Sequence, residues 1–197
     1  MKELIVFDLD GVLVDSKRNM EVSWNAVMER NAVSVPFENY FKHIGKPFED
    51  IMEELDLSSN TNNIKKTYDL TSKSNIDMVK PFNGICDTIT SLQARAKTAV
   101  VTSKSLDRTN EILKLFPKFD YVCAPTKGLR GKPYGDQLQF AISMCKSTPE
   151  KSVYIGDMLV DKQCAENCGV DFIYAEWGYG DIECKNTITN HKELLLV

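Results

Sequence analysis

Only two histidines, His43 and His191, occur in the chain. The six cysteines form no CxxC pair, and although Cys164 and Cys168 are spaced i, i+4, no histidine support accompanies them. A zinc site wants such a set, so the sequence argues against one. A basic surplus is absent too: 24 Lys and Arg face 28 Asp and Glu, for a net charge of -4. Nucleic-acid binding rests on cations that neutralise phosphates and finds no support in that balance. No stretch approaches the roughly 18 apolar residues that cross a bilayer. The N-terminal apolar run is only Leu4-Ile5-Val6-Phe7, with acids on both sides, which does not match a signal peptide. Repeats and low-complexity tracts are missing. Cysteines without a framework read as reduced thiols, so the expected location is cytoplasmic. The 197 residues suffice for one core, or for a core with an insertion.

What is present concentrates in residues 8–16, DLDGVLVDS. The run before them reads as a buried strand. Asp8 and Asp10 follow at its carboxyl end, spaced i, i+2, which in extended chain puts both side chains on one side. Gly11 lets the chain turn away. Two acids held together are costly unless neutralised, and a hard cation such as Mg²⁺ takes oxygen ligands.

After residue 80, apolar runs alternate with helical patterns. Expected strands cover residues 4–8, 98–102, 121–124, 153–155 and 172–175. They are short and rich in Val, Ile and Tyr, as strands buried on both faces are. Between them, Ile85/Ile89/Leu92, Leu106/Thr109/Ile112/Leu113/Phe116 and Leu138/Ala141/Ile142/Cys145 keep helical spacing. A further helix after Asp161 should stop at Gly169. The alternation predicts an α/β fold with a Rossmann-like parallel-sheet core of about five strands and helices on both faces. Ligands in such sheets lie beyond the carboxyl ends of the strands. Asp8, Asp10, Thr102 and Asp157 all fall at or just past such ends.

Residues 16–80 break the pattern. Met20/Trp24/Val27/Met28, Phe48/Ile51/Met52/Leu55 and Ile64/Tyr68/Thr71 predict three helices, with Pro47 suited to a first turn. Residues 57–63, LSSNTNN, read as a loop. The segment is expected to be an all-helical cap (16–80) inserted into a core of residues 1–15 and 81–197, with hinges near 15–16 and 80–82.

Residues 8–16 resemble the first signature of the haloacid dehalogenase-like phosphohydrolases. Three more segments match in order: Val100-Val101-Thr102-Ser103-Lys104, Lys132-Pro133, and the strand with GDxxxD at residues 153–161. Residues 172–180 are similar to the last strand and loop of the phosphoglycolate-phosphatase-like branch. The resemblance implies a Mg²⁺-dependent phosphatase acting on a small phosphorylated metabolite through an aspartyl-phosphate, with no nucleic-acid or membrane partner; oligomeric state stays open.

It implies Asp8 as nucleophile and Asp10 as general acid and base. The metal would be held by Asp8, the Asp10 backbone carbonyl and Asp157. Thr102 and Lys132 would act on the phosphoryl group, with Lys127 and Arg130 as rivals to Lys132 in the same loop. Gly11 and the amides around Leu9, Asp10 and Ser103 would cradle phosphate. Lys46 and Phe48 would meet the substrate from the cap, Asp161 would play a supporting part, and Trp177 and Tyr179 would line the pocket. The alternatives are a sugar phosphomutase like β-phosphoglucomutase and a non-catalytic binding domain. That mutase branch usually has an arginine near the position of Phe48, and a domain that lost catalysis should have lost a carboxylate.

Overall fold

A computed structural model describes residues 2–196. Six parallel strands form its central sheet: β1 (Leu4–Phe7), β4 (Lys97–Val101), β5 (Tyr121–Cys123), β6 (Ser152–Gly156), β7 (Asp171–Ala175) and β8 (Thr187–Ile188). They stand in the order β5-β4-β1-β6-β7-β8. β1 pairs with β4 on one side and β6 on the other, with Phe7 opposite both Val100 and Ile155. The chain order reverses across β1, which opens a crevice at the carboxyl ends of β1, β4 and β6.

Each strand feeds two cores because its side chains alternate. Ile5, Phe7, Val100, Val153, Ile155 and Ile173 face α5 (Ile85–Gln93), α6 (Leu106–Leu113) and the C-terminal 3₁₀ turn. Leu4, Val6, Ala99, Val101, Tyr154 and Phe172 face α7 (Asp136–Met144) and α8 (Leu159–Cys168). Helix α8 stops at Gly169, whose φ is +65°. The five expected strands are all present. The sheet has a sixth, β8, whose two residues are too short for any periodicity to announce.

Residues between β2 (Val14–Asp15) and β3 (Lys80–Pro81) are wholly helical: α1 (Lys17–Asn31), α2 (Phe37–Phe41), α3 (Phe48–Glu54), α4 (Thr61–Ser74) and two 3₁₀ turns. Their own core centres on Trp24, which stacks on Tyr40 with ring centroids 4.1 Å apart and donates Nε1–H to Val35 O at 2.8 Å. One expectation is corrected here. Residues 57–63 are not an open loop, because a 3₁₀ turn at Ser58–Asn60 runs straight into α4; Ser, Asn and Thr are also helix-entry residues. At the two chain crossings, where hinges are expected, β2 and β3 pair antiparallel, Val14 with Pro81 and Asp15 with Lys80.

Candidate active site

Where β1, β4 and β6 end, Asp8, Thr102 and Asp157 follow directly. Asp8 N–H donates to Ile155 O at 2.9 Å and Thr102 N–H to Cys123 O at 3.0 Å, so the strand ladders hold both residues. Gly11 turns the chain with φ +85°, and a Cβ there would lie 2.2 Å from Oδ2 of Asp157. Only glycine brings the first and last of these segments together. Gly178 plays a similar part on the other flank, where a Cβ would come within 2.3 Å of Asp157 Cβ.

Three carboxylates, Asp8, Asp157 and Asp161, gather with ligand atoms within 4.8 Å of one another, and all three are buried. One cation answers them. The Lys132 ammonium, with no exposed surface, lies 2.5 Å from Asp8 Oδ1 and 2.7 Å from Asp161 Oδ1. Its rivals in the loop are elsewhere: Arg130 is exposed and pairs with Asp136 at 2.8 Å, while Lys127 lines the cleft mouth. Burial alone would strip the proton from Lys132, but Asp161 and Asp8 outweigh it and hold that proton above the ordinary lysine range. Burial pushes Asp8 up to about 7, against the pull of Lys132 and with help from Asp161 and Asp10. Asp157 is raised well above the carboxylate range by burial, then by Asp161 and Asp8.

Asp161 is fully committed. Its Oδ1 accepts from Lys132 and from the Tyr154 hydroxyl at 3.0 Å, and its Oδ2 accepts the Met158 and Asp157 N–H groups at 3.0 and 3.3 Å. It anchors the lysine and the start of α8. Asp157 differs. Its Oδ2 accepts from Tyr179 N–H at 2.7 Å, while its Oδ1 is buried with no partner among the described residues. A buried orphan oxygen is costly, and a surplus of acid over cation surrounds it. The donor set is oxygen-only. These features fit a hard divalent ion such as Mg²⁺ held through Asp8 and Asp157.

Asp10 stands at the edge of the cluster. Ser16 Oγ donates to its Oδ1 at 2.5 Å, and the Lys104 ammonium lies 3.2 Å from its Oδ2. Thr102 Oγ1 accepts the Lys104 N–H at 3.1 Å, which leaves its hydroxyl proton free to point into the cleft. Lys104 was missed by the sequence reading, although it directly follows Thr102-Ser103. Its side chain is nearly buried, and burial, with Arg108 nearby, lowers it to about 8 despite Asp10.

Asp8, Asp10 and Thr102 line a cavity of about 510 Å³ between the sheet ends and the helical segment. Lys46, Phe48 and Ser103, expected to bind substrate, are among the residues that line it. The polar ends of two of them are already engaged, Lys46 Nζ by Glu54 at 2.5 Å and Ser103 Oγ by Gly45 O at 2.6 Å. Glu54 also pairs with His43. Trp177 and Tyr179 are not among the lining residues. Trp177 donates Nε1–H to Val12 O at 3.1 Å, and the Tyr179 hydroxyl accepts Ser16 N–H at 2.7 Å and donates to Asp15 at 2.9 Å. Both tie the loop after β7 to the first turn of the chain.

A parallel α/β sheet with an acidic, lysine-paired cluster at its switch point defines a class of hydrolytic phosphoryl-handling sites. The family model for haloacid dehalogenase-like hydrolases matches residues 5–175, and the chain belongs to that family. The tyrosine-protein kinase PtkA of Mycobacterium tuberculosis is 30% identical over 185 residues, which are 90% of this chain and 63% of PtkA. The chain thus spans under two thirds of that relative. A phosphoglycolate phosphatase from Caulobacter vibrioides is 26% identical over 188 residues, 89% of this chain and 79% of that one. Among solved structures, a Lactobacillus plantarum protein superposes with a TM-score of 0.91 at 20% identity over 100% of this chain and 99% of its own. That likeness concerns the fold.

The raised acids give a pH signature. A carboxyl whose folded pKa exceeds its unfolded value stabilises the fold fully below the unfolded pKa and loses that contribution as pH rises through the folded one. For Asp8 the window runs from 3.8 to about 7. In chelator, the cluster's contribution to Tm is expected to fall from about pH 5 to pH 8. Mg²⁺ should raise Tm more at each step upward. Thermal melts with EDTA and with Mg²⁺ across that range check it, and a metal shift independent of pH would contradict it.

Proposed function

We propose that the chain is a Mg²⁺-dependent phosphatase that hydrolyses a small phosphomonoester through a phosphorylated Asp8. The observation that carries the reading is the buried trio of carboxylates answered by one lysine, with an orphan oxygen on Asp157 and with Asp8 lining the cleft.

Asp8 attacks phosphorus through a carboxylate oxygen, and the ester oxygen departs with the electrons of the P–O bond. Asp10 gives that oxygen its proton. Asp10 then takes a proton from water as the water attacks the acyl-phosphate, releasing phosphate and restoring the Asp8 carboxylate. Ser16 and Lys104 hold the two oxygens of Asp10 for both steps. Thr102 donates its free hydroxyl proton to a phosphoryl oxygen, and Lys132 supplies fixed positive charge. Asp8, the Asp10 carbonyl and Asp157 would hold Mg²⁺, which when bound offsets the negative charge of the phosphoryl oxygens and carboxylates. Ser103 contributes a backbone amide near the phosphate, whereas the Gly11 N–H, expected to share that part, is already given to Val14 O at 2.9 Å.

The helical segment 16–80 acts as a cap on this reading, hinged at the β2/β3 ladder, with Phe48 and Lys46 facing the substrate. A closed cap excludes bulky phosphoproteins and bulk water. The substrate is a small metabolite, and free thiols fit a cytoplasmic setting.

Phosphate release from a panel of phosphomonoesters, with Mg²⁺ and with chelator, tests the reading. Mg²⁺-dependent release is expected, with Asp157→Ala needing at least tenfold more Mg²⁺ for half-maximal rate, about the loss expected of a metal ligand or its partner. No release from any ester would overturn it.

A further inference from the structure

One cation in the cleft has no role in the chemistry above. Arg108, on α6, crosses to the helical segment. Its guanidinium lies over the ring of Tyr68 at 5.4 Å, and it hydrogen-bonds Ser72 Oγ. The nearest acid, Asp69, is half-exposed and 3.5 Å away, too far for a good hydrogen bond. The Arg108 Nε–H is buried with no partner among the described residues. A guanidinium carries five N–H groups in a rigid fork that matches the two oxygens of a carboxylate or phosphate. Leaving a buried donor of a charged group unmade is among the costlier arrangements in a protein.

Its surroundings sharpen the point. Lys104 lies between Arg108 and Asp10: it pairs with Asp10, and its charge is opposed by Arg108. Two neighbouring buried cations repel each other, and an anion seated between or beside them relieves that repulsion. Beyond Asp8 and Asp10, cations outnumber acids along the cleft, with Lys65, Lys104, Arg108 and Lys127 facing Glu49 and Asp69. The cavity of about 510 Å³ leaves room past the phosphoryl position. Tyr68 holds the guanidinium from one side.

We propose that Arg108, with Lys104 beside it, forms a second anion subsite, and that the substrate is a phosphomonoester bearing a further carboxylate or phosphate. This rests on reading the cleft as a phosphatase site. The phosphoryl group lies over Asp8, and the second anion reaches the seam between α6 and α4. Binding there also ties the helical segment to the sheet domain through the ligand, because Arg108 comes from one and Tyr68, Asp69 and Ser72 from the other.

The test uses matched pairs that differ by one anionic group. Ethyl phosphate is compared with phosphoglycolate, glycerol 3-phosphate with 3-phosphoglycerate, and fructose 6-phosphate with fructose 1,6-bisphosphate. The first two pairs add a carboxylate and the third a phosphate, so the preferred pair separates the two chemistries. The readout is the ratio of kcat/KM within each pair. In the parent protein at least one ratio should favour the two-anion member by about ten- to a hundredfold, the range of a charge-assisted contact. Arg108→Gln should collapse that ratio, and Arg108→Lys, which keeps the charge and loses the fork, should restore part of it.

Ratios near one in the parent would overturn the proposal. So would a ratio that survives in Arg108→Gln while both members slow alike, since Arg108 would then be only a tie between α6 and α4. If no ester is hydrolysed, the phosphatase reading has failed by itself. Calorimetry of phosphoglycolate, 3-phosphoglycerate and fructose 1,6-bisphosphate on the parent and Arg108→Gln then decides the subsite. Affinity lost in the variant supports it, and equal affinity or no binding sinks it.

Discussion

Asp8→Asn is expected to lower turnover by at least roughly 10⁴-fold, the scale on which removal of a covalent nucleophile is felt, and to raise stability in the absence of metal. The two effects share one cause. Asp8 is one of three buried acids that Lys132 alone answers among the described residues, so its charge is useful to chemistry and costly to the fold. Asparagine keeps the shape and an oxygen that accepts from Lys132, while the lysine keeps Asp161. The gain has a pH limit. Burial raises Asp8 to about 7, so the parent already carries a proton there under mildly acidic conditions. A higher Tm for the variant in chelator is therefore expected at pH 8 and should fade toward pH 5. The Mg²⁺ shift should shrink as well. Phosphate release and thermal melts on the same preparations decide the matter. Turnover within tenfold of the parent would remove Asp8 from the chemistry, and an unchanged Tm at pH 8 would remove the surplus charge from the cluster.

That double character explains which parts of the site could be read from sequence. Asp8, Thr102 and Asp157 follow buried strands, and Val/Ile runs announce such strands plainly. Once the strands are parallel and adjacent, their ends must converge; Lys132 was legible only through the resemblance of Lys132-Pro133, and its buried pairing with Asp8 and Asp161 belongs to the structure. Asp161 was legible as part of the pattern, but not as the residue that anchors both the lysine and α8. Arg108 stayed hidden because its meaning depends on what the helical segment sets opposite it, and Lys104 because its partner, Asp10, lies past the end of a different strand. Tyr68, Asp69 and Ser72 are far from α6 in the chain, and nothing in the helical spacing of α4 says which face meets it. Tyr179 was misjudged for the same reason, since its hydroxyl serves Ser16 and Asp15 at the β2/β3 ladder. Short elements failed on length: β8 has two residues and α2 five, too few for a period of either kind to repeat.

Lys132→Met should be the most damaging single change to the metal-free fold. The substitution keeps most of the side-chain volume, so the loss is chiefly of charge. Asp8, Asp157 and Asp161 would then be buried together with no cation among them. Breaking a buried pair by removing one partner costs about 3–5 kcal/mol, and here one lysine serves two acids. The cost is expected in urea unfolding at pH 8 with chelator. It should lessen toward pH 5, where Asp8 takes up a proton, and Mg²⁺ should recover part of it by supplying positive charge. Turnover should fall by about 10²–10³-fold even with saturating Mg²⁺, the usual effect of removing one electrostatic contact to a transition state. Asp161→Asn in the same background distinguishes charge from packing. With Lys132 gone, Asp161 is a surplus acid, so the double variant should be less destabilised than the two single losses added together. Strict additivity, or a loss below about 1 kcal/mol for Lys132→Met, would mean that the lysine is not what holds these carboxylates together.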